Sequence, residues 1–153
     1  AQPHNKRLFI EEKENGITNI RKVVNISSTS GMFGNAGQIN YATAKAGVVG
    51  MAKTMAKEWG RYNVNVNAVG FGLIKTRLTD SDAEKEESLI DIEGNKIKVG
   101  VNSAVFQSAK TMIPLGRPGT PQEAAGAIYM FCIPESNYVT GQILMCHGGG
   151  FGY

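Results

Sequence analysis

Two short β-branched runs bracket a long helical segment, and that succession limits the folds open to this chain more than any other feature. Val23, Val24 and Ile26 lie in the first run, and the second, Val64–Val69, alternates valine with Asn65 and Asn67. Between them, residues 40–61 are rich in Ala, Met and Lys and end near Trp59, which predicts a helix. Strand, helix and strand in that order predict parallel strands joined by a crossover, with the first strand buried on both faces. A third run, Gly141–Cys146, follows a helix start at Thr120-Pro121-Gln122-Glu123. There Thr can cap, Pro opens the first turn, and Glu stands three residues after the cap. The expectation is an α/β domain with about three parallel strands.

The remaining segments read less sharply. Residues 1–14 cluster Leu8, Phe9 and Ile10 and suggest the end of an amphipathic helix, broken at Asn15-Gly16. Gly31, Gly34, Asn35, Ala36 and Gly37 predict a small-residue loop. Gly47 and Gly50 each cost roughly 1 kcal/mol inside a helix, so another backbone or helix is expected close to them. Further along, a charged helix is expected over 80–89, and a hairpin over 90–99 centred on Glu93-Gly94-Asn95. Another helix is expected over 103–112, ending before Pro114.

At 153 residues the chain is one domain at most. Its net charge is only +3 and its basic residues are scattered, so a nucleic-acid partner is not expected. No apolar run approaches the roughly twenty residues of a membrane span, and no signal-peptide pattern is present. Cys132 and Cys146 show no metal spacing and read as free thiols, with no metal site expected. A cytoplasmic or organelle-matrix location follows as the default. Ala1 is not an initiator methionine, so residues upstream of it are expected.

The chemistry concentrates in Ser28, Tyr41 and Lys45. Residues four apart share a helix face, so Tyr41 and Lys45 point the same way. A phenol is a poor acid or base near neutral pH, and a nearby ammonium favours its phenolate. Ser28, at the carboxyl end of a strand, can donate a hydrogen bond to an oxygen on which charge develops. Open α/β sheets carry their sites at that end. These parts suit carbonyl reduction or its reverse. A Tyr-x-x-x-Lys pair alone arises readily by chance; the strand-terminal Ser27-Ser28, the glycine loop and Asn40 make it specific.

Taken together, Val23 to Gly47, then Asn65-Val66-Asn67-Ala68-Val69 and Gly72-Leu73-Ile74-Lys75-Thr76, resemble the short-chain dehydrogenases/reductases. The branch most similar contains the 3-oxoacyl-(acyl-carrier-protein) reductases. Gly116-Arg117-Pro118-Gly119-Thr120-Pro121, Val139-Thr140-Gly141-Gln142 and Gly148-Gly149 are also similar to that family's last third. The resemblance implies a Rossmann-type doubly wound parallel sheet, of which residues 1–153 form the carboxyl-terminal half of an NAD(P)-binding domain. It implies Tyr41 as general acid or base, Lys45 on the nicotinamide ribose, and Ser28 on the substrate carbonyl. The nicotinamide carboxamide would be held at Gly72, Ile74 and Thr76. NAD or NADP would be the cofactor, with a small-molecule or acyl-thioester substrate, a role in fatty acid metabolism, and a homotetramer or dimer as the assembly.

Several features depart from the family pattern. Phe71 stands where proline is usual and is expected to wall the nicotinamide pocket, or simply to pack at the strand end. Residues 77–113 form a longer insertion, expected to be a substrate lid, and Arg77 beside it could meet an acidic substrate group. The family's glycine-rich turn, its Asn-Asn-Ala-Gly segment and its catalytic Asn have no match among these residues, and Gly148-Gly149-Gly150 cannot replace the turn. Rival readings are a hydroxysteroid or other hydrophobic alcohol dehydrogenase, and a non-catalytic fragment or structural partner of a full-length subunit. A hydrolase using Ser28 lacks a partner to activate the hydroxyl. Lone His147 is expected to be structural, and Met51, Met55 and Trp59 to pack in a core or subunit contact.

Overall fold

The computed structural model of the protein describes residues 2–76, 89–92, 95–98, 108 and 111–150. Helix α1 (Gln2–Glu14) leads to strand β1 (Arg21–Ser28), a short helix α2 (Thr29–Phe33), and the long helix α3 (Ile39–Trp59). A 3-10 turn (Gly60–Tyr62) precedes strand β2 (Val64–Phe71). Strands β3 (Leu89–Ile92) and β4 (Asn95–Lys98) follow, then helix α4 (Pro121–Tyr129), a 3-10 turn (Pro134–Ser136) and strand β5 (Ile143–Cys146). Strands β1, β2 and β5 form one parallel sheet in that order, and β3 pairs antiparallel with β4.

The central strand explains the sheet. Every residue of β2 from Val64 to Gly70 is buried. Successive side chains on a strand face opposite ways, and the two faces of β2 are satisfied differently. Val64, Val66 and Ala68 pack with Ala52, Ala56 and Trp59 of α3. On the other face Val69 packs with Ala127 and Phe131 beneath α4. Asn65 and Asn67 share that second face and are buried too, which is costly unless their amides are paired. Asn65 donates to the carbonyls of Ser136 and Asn137. Asn67 donates to the Val139 carbonyl at 2.9 Å and accepts from the Gln142 N–H at 3.0 Å. The valine–asparagine alternation thus marks a strand clad by helix on one face and by a hydrogen-bonded loop on the other.

Strand β1 corrects one expectation. Among the described residues it pairs only with β2, and it is half-buried rather than buried on both faces, with Ile26 exposed and only Ser27 and Ser28 buried. Its amino end is tied to α1, where the Glu12 carboxylate accepts from Asn19 and Arg21. These bonds, Asn19 first, hold the Glu12 carboxyl below its ordinary range.

The small-residue loop also needs correction, because its start, Gly31 to Phe33, belongs to the short helix α2. The Ser28 hydroxyl caps that helix by accepting from the Ser30 N–H at 3.2 Å, and Gly34 ends it at φ 77°. Gly47 and Gly50 face no other part of the described residues. A Cβ at either would meet nothing within 4 Å, so no close neighbour among the described residues compensates them.

Other expectations hold. The Thr120 capping box is complete, with Glu123 N–H on the Thr120 hydroxyl and Thr120 N–H on the Glu123 carboxylate. The hairpin forms with Ile92 opposite Asn95, which leaves two residues between its strands. Ser108, Thr111 and Met112 are helical; the rest of the 103–112 helix and the 80–88 stretch lie outside the described residues, as does Arg77. Leu89, placed in the charged helix, opens β3 instead. Trp59 is buried and Met55 half-buried in the α3 core, while Met51 is exposed. Cys132 and Cys146 are both free.

Candidate active site

The parallel register brings Ser28, Phe71 and Cys146 side by side at the carboxyl edge of the sheet. Strand β1 ends at Ser28, and the chain must then turn away to begin α3 on the same edge. Two contacts fix where α3 sits. The Ser27 hydroxyl donates to the Lys45 carbonyl at 2.8 Å. Gly31 lies against the helix backbone so closely that a Cβ there would come 2.6 Å from the Lys45 carbonyl carbon. No other residue leaves that space open.

On the anchored helix, Tyr41 and Lys45 stand one turn apart. The Lys45 ammonium is 5.6 Å from the centroid of the Tyr41 ring, within the range where a cation is attracted to a phenol face. Lys45 Nζ also donates to the Ile26 carbonyl at 3.1 Å. Tyr41 is 44% exposed, whereas Ser28 is 8% exposed. Because the Ser28 oxygen already accepts from Ser30, its own proton is directed elsewhere.

Beyond β2, Gly72 donates to the Cys146 carbonyl at 3.0 Å. Lys75 N–H donates to the Gly119 carbonyl at 2.7 Å, and Gly119 N–H to the Leu73 carbonyl at 3.0 Å. The Gly72–Thr76 loop is therefore pinned to the segment that caps α4. That segment is itself braced: Arg117 makes two parallel hydrogen bonds to the Glu123 carboxylate, at 2.8 and 2.7 Å. Together with the Thr120 N–H, the guanidinium holds the Glu123 carboxyl at about 2, well below the usual range.

Phe71 is half-buried and packs, like Cys146, against the Val69–Ala127–Phe131 cluster. Burial pushes the Cys146 thiol up, toward its inert form. Among the described residues no group of three or more His, Cys, Asp or Glu side chains could hold a metal ion, and no helix is long and apolar enough to cross a membrane.

Ser27, Gly31 and Gly119 escape a reading by residue type, since each acts on a stretch of chain far from it in sequence. Two local signals do mark them. Ser27-Ser28 places two hydroxyls at one strand end, and Gly119 directly precedes the Thr120 capping box.

Comparison with known proteins identifies the family and the fold. Residues 11–150 match the family model described as enoyl-(acyl carrier protein) reductase. A 3-oxoacyl-(acyl-carrier-protein) reductase of Thermotoga maritima is 42% identical over 127 residues, covering 83% of this chain and 44% of that protein. The (3R)-3-hydroxyacyl-CoA dehydrogenase of Mus musculus is 36% identical over 129 residues, covering 84% of this chain and 42% of that protein. The chain thus spans less than half the length of these curated relatives. A solved structure, 4-hydroxyisoleucine dehydrogenase complexed with NADH, superposes with a TM-score of 0.65 at 23% identity over 94% of this chain and 51% of its own. That likeness establishes the Rossmann-type fold. By its sequence match from residue 11 to residue 150, the chain belongs to the short-chain dehydrogenase/reductase family of oxidoreductases.

Proposed function

We propose that this protein interconverts a ketone and a secondary alcohol with NAD or NADP, Tyr41 serving as the general acid or base. The observation that carries the reading is the Lys45 ammonium 5.6 Å from the Tyr41 ring, on a helix clamped to the strand end that bears Ser28. In reduction the Tyr41 hydroxyl gives its proton to the carbonyl oxygen. Ser28, its oxygen engaged by Ser30, donates a hydrogen bond to that same oxygen and keeps its proton. Lys45, turning from the Ile26 carbonyl, binds the ribose hydroxyls and stabilises the charge left on Tyr41.

The residues present fit the nicotinamide end of the cofactor. Lys45 offers donors beside an exposed Tyr41, and the Gly72–Thr76 loop, pinned by Gly119, stands at the same sheet edge. Gly72, Ile74 and Thr76 would hold the carboxamide, with Phe71 at its border. The nicotinamide supplies the hydride. The Gly148–Gly150 turn, packed on Ile113 and Pro114, is not shaped to cradle a pyrophosphate.

A 3-oxoacyl thioester is the proposed substrate class, supported by the names of the two relatives above and fitting a role in fatty acid metabolism. Residues 77–113 are proposed as the substrate lid. The open flank of α3 at Gly47 and Gly50 suits a second copy of the chain, in a dimer or tetramer. Turnover of acetoacetyl-CoA by the natural polypeptide, with NADH or NADPH, tests the reading. Tyr41→Phe should abolish it while nucleotide binding persists; retained turnover would refute the role of Tyr41.

A further inference from the structure

His147 follows the last strand and stands outside the chemistry described above, yet two segments that border the site rest on it. Its Nδ1 accepts from the Gly149 N–H at 3.1 Å, and its carbonyl accepts from the Gly150 N–H at 3.2 Å. These bonds close a turn whose Gly148 and Gly149 have φ of 66° and 81°. With Nδ1 accepting, Nε2 carries the proton of the neutral ring.

The returning segment docks on that turn. Leu115 N–H donates to the Gly148 carbonyl at 3.2 Å, Gly148 faces Ile113, and Gly149 faces Pro114. Ile113 is buried there at 4% exposure, so the dock is a packed contact. The outgoing segment touches the same residue from its other side. A Cβ at Gly72 would lie 2.7 Å from His147 Cβ and 3.7 Å from Thr29 Cγ2. His147 thus meets the start of the Gly72–Thr76 loop with its Cα and Cβ, while its imidazole closes the turn that holds Ile113–Leu115.

We infer that His147 is a positioning residue, whose imidazole closes the 147–150 turn and thereby sets the Gly72–Thr76 loop and the Ile113–Leu115 segment relative to each other. This rests on the oxidoreductase reading for its effect on turnover, but its structural part stands alone. Asparagine can supply an acceptor oxygen where Nδ1 lies, two bonds beyond Cβ. Leucine fills comparable space with no acceptor.

The test compares His147→Leu and His147→Asn in the natural polypeptide, with amide hydrogen exchange over residues 72–76 and 111–116 as the first readout. Leucine should accelerate exchange about tenfold in both segments, the scale of one lost neutral hydrogen bond, and asparagine should restore it. Unchanged exchange in the leucine variant, or equal acceleration in both variants, overturns the inference. Should leucine prevent folding, His147→Gln, whose acceptor lies one carbon too far, takes its place with the same expectation.

Kinetics supply the second readout. In the leucine variant KM for nucleotide should rise about tenfold with kcat nearly unchanged, and asparagine should rescue it. A fall in kcat alone counts against positioning. Absence of turnover in the wild type would instead count against the oxidoreductase reading, and the exchange result would still decide the role of His147.

Discussion

Gly31 and Lys45 touch through their backbones: a methyl group at Gly31 would lie 2.6 Å from the Lys45 carbonyl carbon and 2.7 Å from the Ala46 nitrogen. Both obstacles are main-chain atoms of α3, so no side chain can swing aside. Gly31→Ala must therefore displace the helix that carries Tyr41 and Lys45. Turnover should fall by about two orders of magnitude, the scale expected for a displacement near 1 Å, with stability lower by about 1–3 kcal/mol. Kinetics and denaturant unfolding of the same preparation check this; wild-type turnover would show that the contact positions nothing.

Ser28 has two duties, and they separate by measurement. Its oxygen caps α2, and its O–H is assigned as a hydrogen-bond donor to the substrate. Ser28→Ala should lose about 1 kcal/mol of stability from the cap. It should lose about 10²–10³ in kcat from the missing donor. If the kcat loss proves no larger than the stability change accounts for, the substrate role is wrong.

Asn67 is 1% exposed, and both ends of its amide are bonded. Replacing it by leucine would leave the Val139 carbonyl and the Gln142 N–H without these part-buried hydrogen bonds. Each such group costs about 1–3 kcal/mol, so Asn67→Leu should destabilise the domain by about 2–4 kcal/mol at an unchanged denaturant slope. A loss under about 0.5 kcal/mol would mean that water or a shifted loop replaces both partners.

Glu123 sets an acid limit. Its carboxyl titrates at about 2 in the folded chain against 4.5 ordinarily, so folding favours the ionised form. The stabilisation is complete above pH 4.5 and is lost as pH falls from there through 2. The stability gap between wild type and Glu123→Gln should be widest near neutrality and close over that window. Because Arg117 and Glu123 are half-exposed, added salt should narrow the gap as well. A gap independent of pH would show that ionisation of Glu123 contributes nothing to it.

Much of this was legible from residue types. The alternation of Val64, Val66 and Ala68 with Asn65 and Asn67 announced a strand, and Thr120 to Glu123 announced a helix start. The Tyr41–Lys45 spacing announced a shared face, because helical geometry fixes it locally. What stayed hidden depends on distant partners. Nothing in Asn65 or Asn67 says that their amides turn inward, since the acceptors come from residues 136–142. Helix α2 is too short to show a period, although Ser28 was its cap in plain view. Gly47 and Gly50 suggested a close neighbour, while the glycine pressed on the α3 backbone is Gly31, in a stretch read as loop. A glycine's type alone does not tell which backbone will approach it.

The pairing of β2 with its neighbours has a consequence for how the chain acquires its structure. Val23 meets Val66, and Val69 meets Leu144, so each contact must close a long loop before it contributes anything. Such topologies fold slowly. During synthesis, β1, α3 and β2 leave the ribosome while the acceptors for Asn65 and Asn67 are still unmade. Until residues 136–142 emerge, that face of β2 carries two unpaired amides beside bare valine, a surface that invites chaperones and wrong partners. Residues 136–146 therefore govern whether β2 can be buried at all.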